Sequence, residues 1–178
     1  MADPIVSVPG LRIERAPRTA QYVLHCDEDD APRVGERIGI ALPSSILTSN
    51  PAEGDGWRAL RLGPDEWLLI GQADATLDSN SAQDAHSLVD IGSRNLGLNL
   101  SGTSAAELLA AGCPLDLCDD VFPAGSCTRT LFGKVQIVLE RGPKCFRMQY
   151  PRSFDGYVIE LIQTAALDLR AEARVREK

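Results

Sequence analysis

Histidine is nearly absent from this sequence: His25 and His86 are the two copies in 178 residues. That thins the pool for acid–base and metal-ligating work, since histidine is the side chain that titrates near neutral pH and the commonest metal ligand. His25 adjoins Cys26 on an expected strand, where neighbours point to opposite faces, so the two cannot easily reach one site as a Cys–His couple, and a small hydrolase or thiol enzyme using Cys26 or Cys127 is kept as an alternative. The five cysteines, Cys26, Cys113, Cys118, Cys127 and Cys145, are odd in number and irregularly spaced, which argues against a disulfide framework. Cys113 and Cys118 have no second pair at zinc-knuckle spacing, and no metal site is expected. No apolar run approaches the ~18 residues of a membrane helix. Residues 1–10 lack the basic start and apolar run of a secretory signal, so a cytoplasmic location is expected. Neither a dinucleotide fingerprint nor a P-loop occurs. Gly92-Ser93-Arg94 reads as a strand entry with a surface arginine, because one glycine makes no phosphate cradle. The adjacent carboxylates Asp65-Glu66 and Asp119-Asp120 read as turn or cap residues, since adjacency does not converge carboxyls with separated pKa values. No catalytic or cofactor-binding residue is assigned.

Basic residues are also few, 18 Lys and Arg against 25 Asp and Glu, for a net charge of -7. The first hundred residues hold 15 acids against 8 Lys/Arg, while the remainder holds 10 of each. Such a chain is a poor binder of nucleic-acid backbones and of anionic membranes. What is present is an ordinary globular composition, 44% hydrophobic. The expected organisation is a loose arm over 1–10, a single domain or two small lobes over 11–170, and a frayed tail over 171–178.

The elements follow from periodicity. Leu11, Ile13 and Ala16 open the folded part, and Tyr22 to Leu24 reads as a second strand. Asp30 and Pro32 mark a short helix. Residues 42–56 and 72–86 read as loops. Trp57 to Leu62 and Trp67 to Ile70 flank Gly63-Pro64-Asp65-Glu66 as a hairpin. Leu96, Leu98 and Leu100 alternate with polar or small residues, the mark of a strand with one apolar face. Ser104 and Glu107 have capping-box spacing, and Gly112 and Pro114 end that helix, with glycine suited to a left-handed cap. Val135, Ile137 and Leu139, then Phe146, Met148 and Tyr150, predict a second hairpin with one wet face carrying Gln136, Glu140, Arg147 and Gln149. From an N-cap at Ser153, the residues Phe154, Tyr157, Val158, Leu161, Ile162 and Ala165 trace an amphipathic helix. The class is α+β, antiparallel sheet with a few packed helices. Arg129, Lys134, Arg141, Lys144, Arg147 and Arg152 form a basic set, read either as a solvated face or as a contact surface for an acidic partner or ligand.

Five segments in order resemble a known family. Leu62 to Leu68 (LGPDEWL), Leu88 to Arg94 (LVDIGSR), Leu108 to Leu117 (LLAAGCPLDL), Phe122-Pro123 with Cys127 to Thr130, and Pro151 to Phe154 are similar to the motifs of heterotetrameric sarcosine oxidase gamma subunits. Gly92-Ser93 stands where a Ser-His pair is common in that family. The resemblance covers residues 57–167 well and the N-terminal third loosely. It implies the folate-binding fold of aminomethyltransferases and an accessory, non-catalytic role in oxidising sarcosine to glycine, hydrogen peroxide and a one-carbon unit for tetrahydrofolate. It further implies alpha, beta and delta partner subunits, alpha chiefly, with FAD, FMN, NAD and tetrahydrofolate on the partners and none on this chain. Relatives serve oxidases of other N-methyl amino acids, and the fold kinship leaves a stand-alone folate-binding or aminomethyl-transfer protein open. Asp65, Glu66, Arg94, Arg129 and Arg152 are the polar remainder of these motifs, and they are the expected partner contacts.

Overall fold

The computed structural model describes residues 4–50, 56–78 and 86–176. In chain order the elements are β1 (Val6–Val8), β2 (Leu11–Arg15), β3 (Thr19–Cys26), α1 (Ala31–Ile38), β4 (Ser49–Asn50), β5 (Arg58–Arg61) and β6 (Glu66–Gln72). They continue with β7 (His86–Asp90), β8 (Asn95–Ser101), α2 (Ala105–Ala110), β9 (Cys127–Phe132), β10 (Val135–Arg141), β11 (Cys145–Pro151), a 3-10 turn (Arg152–Phe154) and α3 (Asp155–Arg176). The chain divides into two compact units: Met1–Ala16, Asn95–Ala124 and Arg129–Lys178 form the first, and Pro17–Arg94 with Gly125–Thr128 the second.

The first unit holds a sheet in the order β1-β2-β8-β11-β10-β9. Its antiparallel register sets Leu100 opposite Phe146 and Leu98 opposite Met148, so alternate residues of neighbouring strands share one face. That face packs on Val158, Ile162 and Ala165 of α3 and on Leu108 and Leu109 of α2. Each fully buried Leu, Ile or Phe contributes roughly 1.5–3 kcal/mol relative to exposure. The second unit holds a sheet in the order β4-β5-β6-β3-β7. Tyr22, Leu24, Trp67 and Leu69 bury one face with Ala31 and Val34 of α1.

The expected α+β class, both hairpins, the strand at Leu96–Leu100 and the long last helix are all present. Several details differ. Val6–Val8, inside the expected arm, is a strand because Val6 pairs opposite Ile13 across a Pro9-Gly10 turn. The helix runs on through the expected tail to Arg176, since Ala, Glu and Arg are good helix formers. Strands β7 and β9 stand where loop or isolated motif was expected, and β4 lies inside the expected 42–56 loop; residues 51–55 and 79–85 lie outside the described residues. The Ser104 side chain makes no capping bond; its N–H instead donates to Gly10 O at 3.0 Å. Ser153 is not the last N-cap, because Arg152–Phe154 forms a 3-10 turn that precedes α3. Gly112 does not take a left-handed cap, as Ala111 is the C-cap with right-handed geometry. Glycine is needed there for close approach: a Cβ would lie 2.9 Å from the Phe132 ring. The second hairpin's polar face is not wet throughout, for Glu140 is 4% exposed and Gln149 8%.

Candidate partner interface

The turn between β5 and β6 is closed by Leu62 and Gly63, whose N–H groups both donate to Glu66 O, at 3.0 and 3.3 Å. Beneath it lies Arg61, 1% exposed. Its Nε donates to Gly63 O at 3.3 Å, Nη2 to Pro64 O at 2.6 Å, and Nη1 to Glu28 Oε1 at 3.1 Å and to Ser44 O. The guanidinium also lies over the Trp67 ring, 4.9 Å from its centroid. A buried guanidinium is tolerated when its donors are satisfied in this way, and a planar fork reaches three loops at once. Trp67 is anchored in turn, Nε1 donating to Pro43 O at 3.1 Å.

This clamp sets out an exposed surface in the second unit. Asp65 projects with its side chain 66% exposed, 3.9 Å from His25 Nδ1, while Glu66, half-buried, opens β6 opposite His25. Leu47 occupies the left-handed region at φ 63°, costly for a residue with a Cβ. Two bonds hold it: its N–H donates to Arg61 O and its carbonyl accepts from Cys127 N–H, both at 2.9 Å. Ile46 and Leu47 stand about half exposed beside each other. Arg94, exposed, follows β7 in the same unit.

The first unit repeats the device. Arg141 Nη1 donates to Leu117 O at 2.8 Å and Phe122 O at 3.1 Å, and Nη2 bonds Asp119. Its guanidinium stacks 4.9 Å from the Phe146 centroid. This ties down the loop from Cys113 to Phe122, so Arg141 belongs to the fold and not to a free basic surface. Arg147, 3.7 Å from Glu140, is likewise engaged. Arg129 on β9 and Arg152 in the 3-10 turn remain exposed. At the start of α3, Arg15 donates through both terminal nitrogens to Asp155, each at 2.8 Å, and Tyr150 Oη donates to Asp155 Oδ1 at 2.8 Å. The Arg15 bond first, and the Tyr150 bond besides, hold the Asp155 carboxyl below the usual carboxylate range against its partial desolvation.

The expected contacts are therefore divided: Asp65, Glu66 and Arg94 belong to the second unit, Arg129 and Arg152 to the first. Sequence reasoning missed Arg61, Leu47 and the Arg15–Asp155–Tyr150 set. The one local hint was an arginine ending an otherwise buried strand. Thiol chemistry gains no support. The Cys26 thiol is pushed up to about 11 by burial and then by the carboxylates of Asp30 and Asp27, and Cys127 is buried with Sγ 3.8 Å from Arg61 O. A protonated thiol is a poor nucleophile. Among the described residues no three His, Cys, Asp or Glu gather as metal ligands, and no helix is long and apolar enough to cross a membrane.

Comparison with known proteins turns this geometry into kinship. The sarcosine oxidase, gamma subunit family matches residues 25–168. The chain belongs to the sarcosine oxidase gamma subunit family. Two curated relatives are the sarcosine oxidase gamma subunits of Corynebacterium sp. strain U-96, 27% identical over 75% of this chain and 67% of that one, and of strain P-1, 25% identical over 78% and 70%. The fold of this gamma-family chain matches a chain of the heterotetrameric sarcosine oxidase from Corynebacterium sp. U-96, solved with pyrrole 2-carboxylate. The TM-score is 0.82 at 22% identity, over 93% of this chain and 88% of that one. It also matches the glycine cleavage system aminomethyltransferase T from Bartonella henselae, with a TM-score of 0.62 at 15% identity, over 86% of this chain and 45% of that one. The antiparallel fold is thus shared with an aminomethyltransferase, as the sequence resemblance implied.

Proposed function

We propose that this chain is the accessory, non-catalytic gamma subunit of a heterotetrameric sarcosine oxidase and presents a shaped surface to larger flavoprotein subunits. The family match over residues 25–168 carries the reading. It is supported by the use of Arg61 and Arg141, each of which spends its guanidinium donors on loop carbonyls within its own unit. In this reading sarcosine is demethylated to glycine on the partner subunits, alpha, beta and delta, in the cytoplasm. FAD, FMN, NAD and tetrahydrofolate belong to those partners, and no residue of this chain is assigned to them. Alpha is the principal neighbour.

Asp65, Glu66, Arg94, Arg129 and Arg152 are the proposed contacts. The second unit holds 13 Asp and Glu against 6 Arg and so carries the whole excess of negative charge. A patch of one sign speeds encounter with a complementary partner and fixes its register. The test is gentle-salt purification of the tagged chain from its native host, followed by flavin absorbance of what co-elutes. A flavoprotein partner that oxidises sarcosine is expected. A strictly monomeric chain, or sarcosine turnover by the isolated chain, sinks the reading.

A further inference from the structure

Among the described residues strand β1 ends its sheet, with β2 as its one neighbour in the strand order. Such an edge turns the N–H and C=O of every other residue away from the sheet, an open template for another strand. Beside it lies a groove of about 360 Å³, lined by Ile5, Val6, Ser7 and Val8 on one wall and by α3 residues including Ala166, Leu167 and Arg170 on the other. All three strand residues, Val6 to Val8, line that wall together with Ile5 before them. Neighbouring side chains of a strand point to opposite faces, so a lining that takes in every strand residue fits a groove running along the backbone edge. The helix wall supplies an apolar knob and a cation: Leu167 is 64% exposed, and Arg170 is exposed one turn's spacing further on.

From this geometry we infer that the β1–α3 groove receives an extended segment of a larger partner subunit, which adds as a strand to β1, sets apolar side chains against Ile5 and Leu167, and meets Arg170 with a carboxylate. Main-chain bonds to the edge give affinity, alternate side-chain pockets give specificity, and the cation selects an acidic segment. A rounded small molecule would leave the strand edge unpaired, and a second copy would bring a second Arg170 to a symmetric contact. The inference rests on the accessory-subunit reading, which supplies the partner.

The test uses the full chain assembled with its co-expressed partner subunits. Leu167→Asp and, separately, Arg170→Glu are compared with wild type for assembly, with Val89→Asp as an exposed apolar control in the other unit. Hydrogen exchange of residues 4–9 is read in the free and assembled chain. Leu167→Asp should weaken assembly at least about tenfold, which is about 1.4 kcal/mol. Arg170→Glu should weaken it about three- to tenfold at low salt and less at high salt. Val89→Asp should assemble as wild type does, and β1 amides should exchange about tenfold more slowly in the complex. The helix positions are exposed, so both variants are expected to keep the wild-type melting profile. Wild-type assembly with unchanged β1 exchange, or with full tolerance of Leu167→Asp, overturns the groove assignment and leaves the subunit reading standing. A wild-type chain that finds no partner overturns both. A homodimer lost in Leu167→Asp replaces the partner segment by a second copy and overturns the assignment.

Discussion

Arg61 shows what a single buried cation does in this chain. Three loops contribute a carbonyl or carboxylate to its fork, and the strained Leu47 hangs from its own carbonyl. Arg61→Leu should orphan the Gly63, Pro64 and Ser44 carbonyls and cost about 3 kcal/mol in urea unfolding. Arg61→Lys should recover less than half of that, because an ammonium cannot fork; full rescue by lysine would refute the clamp. The thiols offer a second residue-scale outcome. Cys26, held protonated until pH nears about 11, and buried Cys127 should alkylate slowly with iodoacetamide at pH 8, while exposed Cys118 reacts first. Mass spectrometry of tryptic peptides reads the order.

Among the elements, the start of α3 is tied across the unit to β2 and β11 through Asp155. Since the folded carboxyl lies below its usual value, the unfolded chain takes up the proton first as pH falls. The network's stability is thus fully present above the unfolded-state value, near ~4, and is lost as pH drops through the lower folded one. Arg15 and Asp155 are partly exposed, with side chains 45% and 32% accessible, so solvent screening trims the contribution to about 1 kcal/mol. Asp155→Asn should lose that amount at pH 7 and progressively less as pH falls below the usual carboxylate range, in denaturant curves taken across that range. Gly112→Ala tests the α2 exit: forcing a methyl against the Phe132 ring should cost about 1–3 kcal/mol. A neutral outcome would show that Phe132 yields freely.

At the scale of the whole molecule, charge is partitioned: the second unit carries the full -7 and the first is balanced. If the acidic unit steers encounter, Asp65→Lys combined with Glu66→Lys should slow assembly about tenfold at low salt and little at high salt, read as an association rate by stopped flow. An unchanged rate would move the contact elsewhere. The sequence by itself determined the strands at Leu96–Leu100 and Val135–Leu139, the long amphipathic helix, and the family through its ordered motifs, because periodicity and turn chemistry are local properties of the chain. It did not reveal β7, whose residues pair with β3 some sixty positions earlier. Nor did it separate Arg61 and Arg141, which hold loops, from Arg129 and Arg152, which stay exposed. Those outcomes belonged to the tertiary structure. Whether an arginine faces water or a cluster of carbonyls depends on which distant segments, such as Ser44 with Pro64, or Leu117 with Phe122, the closed fold brings to its guanidinium.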